Sequence, residues 1–196
     1  LIYPKNYCVF DFETTGLDPH TCKILEIGAL KVREGQPDEQ FSRLINWGIP
    51  VPENITQITG ITQEEIDRDG IDPETAKREF KEFIGTLPLI GHNIRNFDLK
   101  FLEQFFELTS GDWNALLGNY LDTAAMYKAK KLGTDRHWDE TFNDFAERVM
   151  EVRAYGVKFN VGIACEELQI DKTGLTQHRA LADVILTNEI FKKLIA

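Results

Sequence analysis

The sequence predicts an α/β layer fold built on a mixed sheet. Two observations carry this. Residues 5–13, 24–33 and 40–46 read as consecutive strands joined by short turns. After them, short apolar strands alternate with amphipathic helices, the pattern of helices flanking a sheet with parallel strands.

Each element has its own signal. The first strand runs into "CVFDFETTGLDP", Cys8 to Pro19. Gly16 frees the backbone there, and Asp18-Pro19 initiates a bend. "PENITQITGITQEEI" reads as a loop entering a short helix, with Thr62 as N-cap and Glu65 three residues on, a capping-box pattern. A helix is predicted over 73–85, with Pro73 near its start and Gly85 at its end. "LPLIGHN" is a short buried strand, followed by helices over 97–108 and 122–132, with "NYL" between them as another short strand. Phe142, Phe145, Ala146, Val149 and Val152 recur at helical spacing, so an extra helical segment is expected around 136–156. "FNVGIACEELQI" gives one more short helix, and 179–195 a long last one.

The chain has 196 residues, which suits one domain, 1–196, with a full hydrophobic core. No apolar run approaches the ~20 residues that span a bilayer, so no membrane partner is expected. Cys8, Cys22 and Cys165 lack metal-ligand spacing, and an odd count in apolar surroundings suggests reduced thiols and a cytoplasmic setting. The chain opens on Leu rather than Met, which fits a piece of something longer. The net charge of −10 argues against a nonspecific nucleic-acid binder held by a basic surface. A metal-dependent enzyme that meets phosphates at a local site stays compatible with it.

The first strand poses the chemical question. Side chains two apart share a face, so Phe10 and Phe12 point one way and Val9, Asp11 and Glu13 the other. Adjacent buried carboxylates repel and resist desolvation, and something positive must compensate. A hard divalent cation would, and it needs further oxygen ligands. Asp98 begins a predicted helix, where an acid ordinarily serves the helix dipole. Asp183 lies between Ala180, Ala182, Val184 and Ile185 in the last helix, where an acid needs a reason. His178 precedes it by five residues, about 140° around an ideal helix at 100° per residue. Both cannot face one site from regular helix, so His178 is expected in the loop or cap before it. His92, at a strand end, reads as structural.

Taken together, these pieces resemble a known family, the DEDDh or DnaQ-like 3′–5′ exonucleases. "DFETTG" matches its first motif, "GHNIRNFD" resembles its second, and "HRALAD" its His-bearing third. "TGIT" at 59–62 and "LDT" at 121–123 resemble further family segments. The second motif carries three residues between Asn93 and Phe97, where many members have two.

The resemblance implies an RNase H-like fold, a five-stranded mixed sheet flanked by helices. It implies two Mg²⁺ or Mn²⁺ ions held by Asp11, Glu13, Asp98 and Asp183, with Asp11 between both, and His178 as general base, suited by an unperturbed pKa of ~6.5. The backbone around Thr14, Thr15 and Gly16, together with Leu17, Ile61 and Asn93, would hold the terminal nucleotide. The implied activity is release of nucleoside 5′-monophosphates from the 3′ end of single-stranded or frayed DNA, in proofreading or repair, with a polymerase as partner. The alternatives are an RNA-trimming nuclease and a non-catalytic nucleic-acid or polymerase-binding module. The complete set of catalytic candidates argues against the module.

Overall fold

A computed structural model describes residues 3–175 and 178–196. β1 (Tyr7–Thr14), β2 (Ile24–Arg33) and β3 (Gln36–Leu44) form an antiparallel meander. Three helices follow: α1 (Glu53–Thr59), α2 (Gln63–Asp69) and α3 (Pro73–Ile84). β4 (Leu89–Gly91) then pairs parallel to β1. After α4 (Asp98–Phe106) and α5 (Ser110–Leu117), β5 (Tyr120–Asp122) pairs parallel to β4. The chain continues through α6 (Thr123–Leu132), α7 (Phe142–Glu151), α8 (Val161–Glu167) and α9 (Ala180–Ile195). The sheet order is β3-β2-β1-β4-β5, the five-stranded mixed sheet expected from the sequence.

The alternation in β1 divides the core. Phe10 and Phe12 face α3 and α4, where they pack with Phe80, Leu99 and Phe101. Phe80 is fully buried, with ring centroids 5.9 Å from Phe10 and 5.7 Å from Phe12. Burying such a side chain contributes ~1.5–3 kcal/mol. Tyr7 and Val9 face the other way, onto Met126 of α6, Phe145 and Val149 of α7, and Val184 and Phe191 of α9. Asp11 and Glu13 continue this second face, which α9 covers.

The structure departs from the sequence reading in three places. β3 starts at Gln36 rather than 40, because Arg33↔Gln36 and Val32↔Pro37 extend the ladder through exposed polar residues. Residues 53–59, expected as loop, form α1, closed by Gly60 in the left-handed conformation (φ 74°). α5 was not expected; it is closed by a reciprocal cap between Thr109 and Asp112. The helix expected within 136–156 is α7, capped by Thr141. Cys8, Cys22 and Cys165 are all free thiols.

Candidate active site

β1, α4 and α9 bring the acids together, each for a local reason. Asp11 and Glu13 sit near the end of β1, beyond the last β4 pairing at Val9↔Ile90. Past that point the β4 edge of β1 is open, and Asp98, the first residue of α4, fills it. Its Oδ1 accepts a hydrogen bond from the Phe12 backbone N–H at 3.0 Å.

Gly28 of β2 lies opposite Asp11 and sets the position of α9. A Cβ there would come within 2.3 Å of the Ala180 carbonyl carbon and 2.4 Å of the Leu181 nitrogen. Only glycine lets the first turn of α9 lie this close to the sheet. Asp183, one turn in, thereby reaches the paired acids. Carboxylate oxygens of Asp11, Glu13 and Asp183 lie within 4.8 Å of one another. Asp98 falls outside this tight group and is buried behind it, 2% exposed.

The electrostatics follow from crowding. Burial first, then Asp98, Glu13 and Asp183, hold Asp11 well above the ordinary carboxylate range. Burial and the charges of Asp183 and Glu26 push Glu13 up to about 8. Burial likewise raises Asp98 to about 8, against the pull of the Phe12 N–H. Asp183 is raised by burial and moderated by His178, whose backbone N–H donates to its Oδ2 at 3.2 Å. Converging hard oxygen donors with too little protein cation to neutralise them fit a divalent ion.

His178 lies in the turn before α9, as its spacing from Asp183 requires, with an exposed side chain and φ of 62°. It lines a cleft of about 640 Å³ together with Asp183, His92, Asn93 and the Lys158–Gly162 stretch. His92 is a bracing residue: its ring bonds Thr123 Oγ1 at 2.8 Å and the Phe159 carbonyl. Burial favours its neutral form.

The expected nucleotide contacts divide. Leu17 stands 84% exposed on the loop after β1. Thr14 and Thr15 hold that loop internally, Thr14 Oγ1 donating to Gly16 O at 2.6 Å and Thr15 Oγ1 accepting from Lys23 N at 2.9 Å. Gly16 is tight against Cys22, whose Sγ would be 2.7 Å from an added Cβ. Asn93 has φ of 63° and is held by Asp122, whose Oδ1 accepts its N–H at 2.8 Å. Ile61 is corrected: it is fully buried with Leu25, Ile55 and Ile66, and offers no open face to a base.

Three neighbours of the acid cluster were not singled out in the sequence. Glu26, directly opposite Glu13 in the β1–β2 ladder, is buried. Its carboxylate accepts from Arg179 Nη2 at 2.8 Å and from Ala180 N at 2.9 Å. Arg179 Nη1 also meets Glu65 at 3.1 Å. Thr62 caps α2 through the Glu65 N–H as expected, but the Glu65 carboxylate serves this clamp rather than closing the box. The clamp thus fixes the residue next to His178. Asp122 does the same for the loop after β4, taking the Asn93 and Arg95 N–H groups while capping α6. The available signal for Glu26 was an acid inside the apolar run "ILEIGALKV".

Comparison with known proteins assigns this arrangement to a class. The family model RNase_T, described as Exonuclease, matches residues 8–191, and the chain belongs to that family. A PolC-type DNA polymerase III from Thermotoga petrophila is 30% identical over 193 residues, covering 96% of this chain and 12% of the relative. The Bacillus subtilis PolC-type enzyme is 37% identical over 102 residues, 52% of this chain and 7% of the relative. The chain therefore spans about an eighth or less of these curated relatives. E. coli exonuclease I, solved with a dA16 oligonucleotide, superposes with a TM-score of 0.74 at 18% identity, over 98% of this chain and 41% of that one. Exonuclease X, solved with 5′ overhanging duplex DNA, gives 0.63 at 19%, over 96% and 90%. The fold is RNase H-like and the chain DnaQ-like. Among the described residues no helix is long and apolar enough to cross a membrane.

Proposed function

We propose that this chain removes nucleoside 5′-monophosphates stepwise from the 3′ end of single-stranded or frayed DNA. The carrying observation is the convergence of Asp11, Glu13 and Asp183 oxygens within 4.8 Å in a chain of an exonuclease family. Two Mg²⁺ or Mn²⁺ ions, held by these three with Asp98 behind them, would supply Lewis-acid stabilisation of the phosphate and a more acidic attacking water.

The chain's own groups do the rest. His178 accepts the proton of the attacking water; its exposed position on the cleft beside Asp183 supports this role. The Glu26–Arg179–Glu65 clamp holds the backbone beside it. Leu17 covers the terminal base from the loop after β1, and the Thr14–Gly16 backbone and Asn93 border the sugar. Such apolar contacts tolerate any base. The likeness to PolC-type polymerases supports DNA as substrate, a proofreading or repair role, and a polymerase as partner. The cytoplasm is the compartment this implies.

The test compares single-stranded DNA, duplex DNA and RNA of one sequence, each labelled at the 5′ end, with Mg²⁺ and with chelator. Metal-dependent shortening, fastest on single-stranded DNA, is expected. Faster loss of RNA would transfer the assignment to RNA trimming, and no shortening of any strand would leave a binding module.

A further inference from the structure

We infer that the loop Val152–Asn160 is a second nucleic-acid contact, holding the strand on the 5′ side of the bond to be cut through Tyr155 and Lys158. This rests on the proposed reading of the cleft as a site for a strand's 3′ end.

An acidic chain that binds a polyanion needs local cations. The loop, "VRAYGVKFN", carries Arg153 and Lys158 and no acid, in a chain of net charge −10. Neighbouring cations are already paired, Lys131 with Glu167 and Arg148 with Glu140. Arg153 and Lys158 form no ion pair among the described residues, and both are exposed. Lys158 lines the same cleft as His178 and Asp183. A phosphate that leaves the acid cluster along this cleft meets Lys158.

The loop is also braced like a support rather than a loose connection. Lys128, itself buried, donates from Nζ to Met150 O at 2.9 Å and Val152 O at 2.8 Å. Lys131 Nζ reaches Lys158 O at 3.2 Å, and His92 holds Phe159 O. Asn160 caps α8 through the Ile163 N–H at 2.9 Å. Between these anchors the chain makes a tight turn, with Val157 N donating to Ala154 O at 3.3 Å and Gly156 at φ 77°. Tyr155 stands at the tip, fully exposed. Phe159 at the base is covered by the Lys128 ammonium, 5.1 Å from its ring centre. Among the described residues no cation covers Tyr155. An aromatic ring held out on a fixed turn is a stacking platform for a base, a contact indifferent to sequence. Three residues reach at most ~3.3–3.6 Å each, so the Tyr155 and Lys158 Cα atoms stand within about 11 Å, one or two nucleotides along an extended strand.

The test uses an Asp11→Asn background, so that the strand stays intact, and fluorescence anisotropy with a labelled dT12; a dinucleotide is measured by competition. Tyr155→Ala should weaken dT12 binding ~5–30-fold, within the range of one lost base–aromatic stack. It should leave the dinucleotide unchanged, and Tyr155→Phe should restore dT12 binding. Lys158→Ala should lower the salt slope of log K by about 0.7, as for one phosphate contact on a single strand. Parental dT12 affinity in Tyr155→Ala overturns the inference, as does equal weakening for the dinucleotide. The two readings fail separately. If the wild type shortens DNA and Tyr155→Ala does so with unchanged KM, the inference falls alone. If Tyr155-dependent binding persists in a chain that cuts nothing, the proposed activity falls alone.

Discussion

Asp11 and His178 should fail differently when removed. Asp11 is held above its ordinary range by burial and by Asp98, Glu13 and Asp183. Asp11→Ala takes away a carboxylate that feels Asp98, Glu13 and Asp183 together, so metal-dependent cleavage should vanish. The folded metal-free protein should melt higher, because a crowded charge is gone. His178 is exposed. His178→Ala should lower turnover ~10²–10⁴-fold, the usual span for general-base catalysis, with an unchanged melting temperature. A lowered melting temperature with unchanged turnover per folded molecule would make His178 structural. Glu26→Gln loosens the clamp on Arg179. It should cost up to a few kcal/mol of stability, less than the ~3–5 for breaking a fully buried pair, since Arg179 is 31% exposed. Turnover should fall while calorimetric metal affinity holds; a loss of metal binding instead would put Glu26 in the ligand set. Asp11, Glu13 and Asp183 were legible as candidates because they stand among apolar residues; Asp98 and His178 were legible only through the motifs of the family they resemble. Glu26 and Arg179 were not, because their partnership is a matter of register and crossover, 153 residues apart in the chain.

At the scale of elements, the site depends on how close α9 comes to β2. Gly28→Ala puts a methyl group into the Ala180–Leu181 backbone, which cannot give way as a side-chain tip could. α9 must shift outward and carry Asp183 from Asp11. The expected result is a drop of ~1–3 kcal/mol in stability, typical of overpacking, with weakened metal binding. Parental metal affinity in that variant would show that α9 is not set by this contact. The elements read correctly from sequence, β1, β2, β4, β5, α2, α3, α4 and α6 to α9, all carry buried residues. α5 was missed because none of its residues is buried, so it has no apolar period to read. α1 was read as loop because only Ile55 and Thr59 are buried in its seven residues. β3 began earlier than expected because its first residues are exposed and polar, and only pairing with β2 makes them strand. Ile61 was misassigned for the converse reason: an apolar residue in a loop looks available until the α1–α2 packing encloses it.

For the whole molecule, the cluster makes stability depend on pH and metal together. Burial pushes Glu13 and Asp98 up to about 8 in the folded chain, above the ordinary ~4 of an unfolded carboxyl. Between those values the folded state binds more protons than the unfolded, so metal-free stability falls as pH rises from about 4 to about 8. A divalent ion binds the folded state better as the carboxylates ionise, so it should offset this loss. Melting scans should show a metal-free Tm that declines from pH 5 to pH 8 and a Mg²⁺-induced rise that is larger at pH 8. Each kcal/mol corresponds to about 2–4 °C in a chain of this size. Glu13→Gln should flatten the decline; an equal slope in that variant would assign it to the general negative charge.

The Asp11, Glu13 and Asp183 cluster is proposed to cut a strand one nucleotide at a time from its 3′ end. This is tested most directly by resolving the products of a 5′-labelled single strand incubated with Mg²⁺ and either the wild type or Asp11→Ala. The expected result is a ladder that shortens in single-nucleotide steps with release of 5′-monophosphates and is absent with Asp11→Ala. One internal cut, products ending in 3′-phosphate, or an equal ladder from Asp11→Ala would contradict it.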